Sequence, residues 1–114
     1  MIEVREYITA QNVSPFRKWV RSLNIAAAAK VTRAIERIVD GNLSNVKSVG
    51  EGVLEFRIHA GPGYRVYLGR DGDRLVILLA GGTKQRQHND IAAAKAFWKD
   101  YKQRKPAEEK KKWH

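Results

Sequence analysis

The chain reads as a small α+β domain: an N-terminal strand, a two-helix hairpin, an antiparallel three-stranded meander and a C-terminal helix. Three observations predict this. Residues 16–38 carry apolar side chains at helical spacing behind two capping residues. Residues 53–80 change to two-residue alternation and finish in an unbroken apolar run. A chain of 114 residues has room for one domain with one modest core.

Each element has its own reason. Ile2 to Ile8 alternates apolar and charged residues and reads as a strand. Ser14-Pro15 is an N-cap followed by proline at the first helical position, and Phe16, Trp19, Val20 and Leu23 form one face of the helix behind it. Asn24 caps a second helix with Val31, Ala34, Ile35 and Ile38 on one side, and Gly41 closes it. Asn42 to Gly52 reads as a polar loop. Val53 to Ile58 and Tyr64 to Leu68 alternate as strands about the Gly61-Pro62-Gly63 turn. Asp71-Gly72 signals a two-residue hairpin turn, and Leu75 to Ala80 a strand covered on both faces. Gly81 to Arg86 reads as a flexible basic loop, and Asp90 to Gln103 as the last helix. Residues 1–103 thus form the domain, and 104–114 a basic tail without apolar periodicity, expected to be disordered.

Composition excludes several classes. There is no Cys, so neither a disulfide scaffold nor a Cys-based zinc site is possible. The longest apolar run, 75–80, is far shorter than the ~20 residues of a membrane helix, and Met1 to Glu6 does not resemble a signal peptide. A cytoplasmic protein with no membrane association is expected. The net charge is +10, of which +4 lies in the last fourteen residues. Such an excess attracts polyanions by counterion release.

The register of the first hairpin follows from matching apolar faces: Phe56 pairs with Val66, across a connection from His59 to Gly63. Arg57 then lies opposite Arg65, and Glu55 opposite Tyr67. Like charges so opposed repel, which makes sense if an anion sits between or above them. The two-residue turn would pair Arg65 with Leu78 and Tyr67 with Val76. Arg57, Arg65 and Tyr67 become a band on one sheet face, with Lys84 and Arg86 beside it. Guanidinium forks bind phosphate oxygens, and tyrosine rings stack on bases. The alternative is a solvated face on which Glu55 neutralises one arginine. His88, just after the basic loop, is the better of two candidates for proton transfer, the other being His59. Lys47 is a further basic group, for which plain solvation is the simpler account. No carboxylate–histidine spacing suggests a metal site, and no cofactor is implied.

Glu55-Phe56-Arg57, Gly61-Pro62-Gly63-Tyr64-Arg65-Val66-Tyr67 and Gly81-Gly82 with Lys84 resemble the RelE/ParE toxin superfamily, and more closely its HigB-like "addiction module killer" branch. The likeness runs over residues 2–102. It implies a RelE-like domain that an antitoxin, often of helix-turn-helix type, holds inactive, and that cleaves messenger RNA on the ribosome without a metal when free. By the same resemblance Arg65 stabilises the transition-state phosphate, and Arg57 and Lys84 stand where relatives carry other basic groups. Some relatives place an aromatic hydroxyl at the start of the last helix. This chain has His88-Asn89-Asp90 there, with His88 as the candidate proton donor. Tyr67, Arg86 and Lys47 complete the set as RNA contacts. Two other functions fit the same fold class: a gyrase poison of ParE type, and a nucleic-acid binding module without catalysis. An antitoxin would cover the basic face or the two-helix surface with Trp19 and Arg33.

Overall fold

Both predicted caps form. In the computed structural model, which describes residues 1–112 and the side chains of 1–105, the Ser14 hydroxyl accepts from the Arg17 N–H at 3.0 Å and starts helix α1, Pro15–Arg21. The Asn24 side chain accepts from the Ala27 N–H at 2.8 Å and starts α2, Ile25–Val39. Satisfying otherwise unpaired N–H groups in this way is worth about 1 kcal/mol per cap.

The strands are β1 (Glu3–Glu6), β2 (Val46–Gly50), β3 (Val53–Ile58), β4 (Tyr64–Asp71) and β5 (Leu75–Thr83). They make one five-stranded sheet in the order β1-β5-β4-β3-β2, in which β1 runs parallel to β5 and the other pairs are antiparallel. A 3-10 turn, Lys84–Arg86, leads into α3, Gln87–Lys112.

Helices cover both faces. On one, Phe16 of α1 and Val31, Ala34 and Ile38 of α2 pack on Phe56, Val66, Leu68, Val76 and Leu78. On the other, Ala94 and Trp98 of α3 pack on Val53, Tyr67, Ile77 and Leu79. Alternate residues of β5 therefore enter opposite cores, as the unbroken apolar run predicts.

The α+β class and the first hairpin stand as expected, with Phe56 paired to Val66, Arg57 to Arg65 and Glu55 to Tyr67. Other expectations need correction. Residues 46–50 are an edge strand, not loop. Val46 packs into the first core and Val49 into the second, so its apolar residues do not share a face and no alternation marks it. The second hairpin closes with Asp71 opposite Leu75 across three residues, and a bulge follows at Tyr67/Leu68. Together these move the register by four residues: Arg65 faces Gly82 instead of Leu78, and Tyr67 faces Ala80 instead of Val76.

Gly81 and Gly82 belong to β5 and not to a loop. A Cβ on Gly81 would fall 2.0 Å from the Trp19 ring, and one on Gly82 1.8 Å from Asp90 Oδ2. The two glycines let α1 and α3 approach the strand from opposite sides, as glycine inside a strand often does.

Helix α3 begins earlier and ends later than predicted. Arg104 bonds Asp100 at 2.9 Å and the Ile8 carbonyl, and Lys105 pairs with Asp71 at 2.5 Å, which ties this part of the helix to the body. Residues 113 and 114 of the predicted tail lie outside the described residues.

Candidate functional site

Directly opposed residues of an antiparallel pair share a face. Lys47, Glu55 and Tyr67 therefore form one row across β2, β3 and β4, and Arg57 and Arg65 the next. The register shift brings this second row to Gly82, next to the start of α3.

The anion between the two arginines is the protein's own Glu55, which is completely buried. Arg57 Nε donates to Glu55 Oε1 at 2.9 Å, and Gln87 Nε2 donates to Oε2 at 2.9 Å. Arg65 Nε stands 3.7 Å from Oε2, an ion pair without a hydrogen bond. Burial is the largest influence on the Glu55 carboxyl and pushes its pKa up. The hydrogen bonds from Arg57 and Gln87, with the charges of Arg65 and Arg57, outweigh burial and hold it below the usual carboxylate value.

Arg65 is only 6% exposed. Its Nη1 donates to the Gly63 carbonyl at 3.0 Å, and the same carbonyl accepts from the Lys84 N–H at 3.0 Å. One glycine thus joins the β3–β4 connection, the buried arginine and the 3-10 turn. It does so at φ +78°, a conformation that a residue with a Cβ adopts at a cost.

Asp90 comes from the same helical turn as Gln87 and lies against Gly82. Its Oδ2, Arg65 Nε and the Tyr67 hydroxyl are all buried without a hydrogen-bond partner among the described residues. Burial raises the Asp90 pKa, opposed by the charge of Arg86. The Tyr67 hydroxyl is also pushed up, first by burial and then by the charges of Glu55 and Asp90. Shifted titration of several groups in one place is a mark of functional sites that structural ion-pair networks share.

The predicted residues divide into four groups. Arg57 and Arg65 meet as expected, with Arg57 at the surface and Arg65 behind it. Lys84, Arg86 and His88 are exposed on the 3-10 turn and the first turn of α3. Successive helical residues diverge by about 100°, so His88 does not share the inward face of Gln87. Lys47 is exposed on β2 opposite Glu55, not in a loop.

Tyr67 requires a correction. It is completely buried beneath α3, so its ring is closed to a base, and it serves as core. Gln87 and Asp90 escaped sequence reasoning because only the docking of α3 brings them to the arginines. Glu55 was visible, two residues before Arg57 on the same strand face. Among the described residues no group of His, Cys, Asp and Glu is arranged to hold a metal ion.

Residues 18–107 match the family model described as "Phage derived protein Gp49-like (DUF891)". The chain is also 47% identical over 81 residues to an uncharacterized protein of Haemophilus influenzae (strain ATCC 51907 / DSM 11121 / KW20 / Rd), a match covering 70% of this chain and 82% of the relative. No helix among the described residues is long and apolar enough to cross a membrane.

Proposed function

The chain belongs to the Gp49-like family of phage-derived proteins, part of the RelE/HigB-type toxin superfamily, and from that premise we propose that it is a ribosome-dependent, metal-independent endoribonuclease of the HigB-like kind. The family is one of toxin–antitoxin toxins, and this implies an antitoxin partner. On this reading the toxin acts in the cytoplasm on messenger RNA, and its antitoxin is a helix-turn-helix protein. The catalytic domain is residues 1–103, and the basic segment 104–114 adds affinity for RNA.

The observation that carries the reading is the opposed pair Arg57 and Arg65, held by Glu55 beside exposed Lys84, Arg86 and His88. A phosphodiester in transition gains negative charge, and preorganised cationic donors stabilise it. The ribose 2′-hydroxyl gives its proton to solvent and attacks the adjacent phosphorus, and the bond to the 5′ oxygen of the next nucleotide breaks. The products are a 2′,3′-cyclic phosphate and a free 5′-hydroxyl. Arg57, half-exposed, and Lys84 bind the non-bridging oxygens, and Arg65 sets the charge behind them. His88 gives the proton to the leaving oxygen. Lys47 and Arg86 hold flanking phosphates.

Glu55 makes this arrangement possible: without it two guanidiniums would repel across the sheet, and with it they are fixed before substrate arrives. A donor of this kind contributes on the order of 3 kcal/mol to the transition state, about a hundredfold in rate.

Primer extension on a messenger RNA translated in a purified system tests the reading, with Arg65→Ala and Arg57→Ala beside the wild type. Cuts that need the ribosome and drop about a hundredfold in either variant are expected. Intact RNA with unimpaired translation would refute it and direct attention to gyrase.

A further inference from the structure

Strand β2 begins at Val46 and pairs with β3 only as far as Phe56, which leaves Arg57 and Ile58 without a neighbour on that edge. Helix α2 passes over the gap. Between them lies a cleft of about 270 Å³ lined by Lys30, Arg33, Arg37, Arg57 and His59, with no acidic residue in its wall.

Lys30, Arg33 and Arg37 fall at helical spacings of three and four, so they make one ridge, and all three are exposed. Among the described residues they and His59 take part in no ion pair or side-chain hydrogen bond. A contrasting basic row on α3, Lys95, Lys99 and Lys102, is partly satisfied by the protein itself: Lys95 faces Glu51 at 3.4 Å, and Lys102 lies over the Trp98 ring. Unpaired cations held together in a concave wall repel one another, and a chain of phosphates relieves that repulsion.

We propose that this cleft is a binding track for the phosphate backbone of single-stranded RNA, separate from the cleavage residues and joined to them through Arg57. Arg57 belongs to both places, since its Nε holds Glu55 while its side chain, 38% exposed, lines the cleft. A strand entering between α2 and the end of β3 is carried past His59 to Arg57 and the opposed arginines. The track deepens the nuclease reading by naming how substrate is held, and it is tested by binding, not cleavage, so the two can fail separately.

The probe is a fluorescein-labelled 2′-O-methyl RNA of about a dozen nucleotides, which lacks the attacking hydroxyl. Its affinity is measured by anisotropy over a range of salt for the wild type and for a triple variant with Lys30→Ala, Arg33→Ala and Arg37→Ala. Each lost phosphate contact on a single strand lowers the log–log salt slope by ~0.7, so the triple variant should lose about 2 from the slope and about a hundredfold in affinity near 0.1 M salt. Its melting temperature should match the wild type, because the three side chains are exposed and unpaired.

A second triple variant, with Lys95, Lys99 and Lys102 each changed to Ala, should lose much less. Equal losses in the two variants would mean diffuse attraction and overturn the track, as would an unchanged slope in the first. Weakened binding of polyglutamate with RNA affinity intact would also overturn it, assigning the cleft to an acidic polypeptide.

Discussion

Replacing Glu55 with alanine tests whether the centre of the site is held by its buried carboxylate. Glu55 is completely buried, and Arg65, at 6% exposure, has it as its ion-pair partner at 3.7 Å. Removing one member of a buried pair leaves the other charge uncompensated, at about 3–5 kcal/mol. Near this chain length 1 kcal/mol moves the melting temperature by ~4 °C, so the variant should melt ~12–20 °C lower at neutral pH. The sign of the pH dependence follows from the depressed carboxyl. Its contribution is fully present above the ordinary value of 4.5 and is lost as pH falls below that, through the lower folded value. Other paired carboxylates, Glu6 and Asp71, weaken the wild type in the same range, so the difference between wild type and variant is the quantity to follow. That difference, read by circular dichroism melts from pH 7 to pH 3, should narrow in acid. The double variant with Arg65→Ala should cost less than the two single losses added, by about 1–3 kcal/mol. A single-variant loss under about 1 kcal/mol, or additive losses, would refute the counter-ion role.

Two further outcomes are expected. Gly82→Ala puts a methyl 1.8 Å from Asp90 Oδ2 and 2.7 Å from its Cγ, so the Asp90 carboxylate must swing out of its buried place or the start of α3 must shift. The cost should be about 1–3 kcal/mol in denaturant melts, and much of it should return when Asp90→Ala is added. A chain ended at Gln103 loses the Arg104 bonds to Asp100 and the Ile8 carbonyl and the Lys105 pair with Asp71. These groups are partly exposed, so the loss should be only about 1 kcal/mol, a few degrees by calorimetry. An unchanged melting temperature would show that this end of α3 contributes no anchoring.

What could be read from the sequence was local or bound by parity. Ser14 and Asn24 cap their helices because a side-chain oxygen within three residues of an unpaired N–H needs no distant partner. The pairing of Arg57 with Arg65 followed because a one-residue slip would turn Phe56 and Val66 out of the core. The Gp49-like family match then agreed with the toxin superfamily that the GPGYRVY segment suggested.

Everything that depended on how α1 and α3 press on the sheet was decided only in three dimensions. Gly81 and Gly82 have the composition of a loop, yet they are strand because two helices need the space a Cβ would fill. Tyr67 alternates like a surface residue, yet Trp98 and Ala94 close over its face and make it core. Strand β2 shows no alternation, because its two valines serve opposite cores. The three-residue hairpin closure and the bulge at Tyr67/Leu68 together moved Arg65 to the mouth of α3, where Gln87 reaches the carboxylate between the arginines. Alternation reports which residues share a face of a strand, whereas which face stays open depends on elements that arrive from elsewhere in the chain.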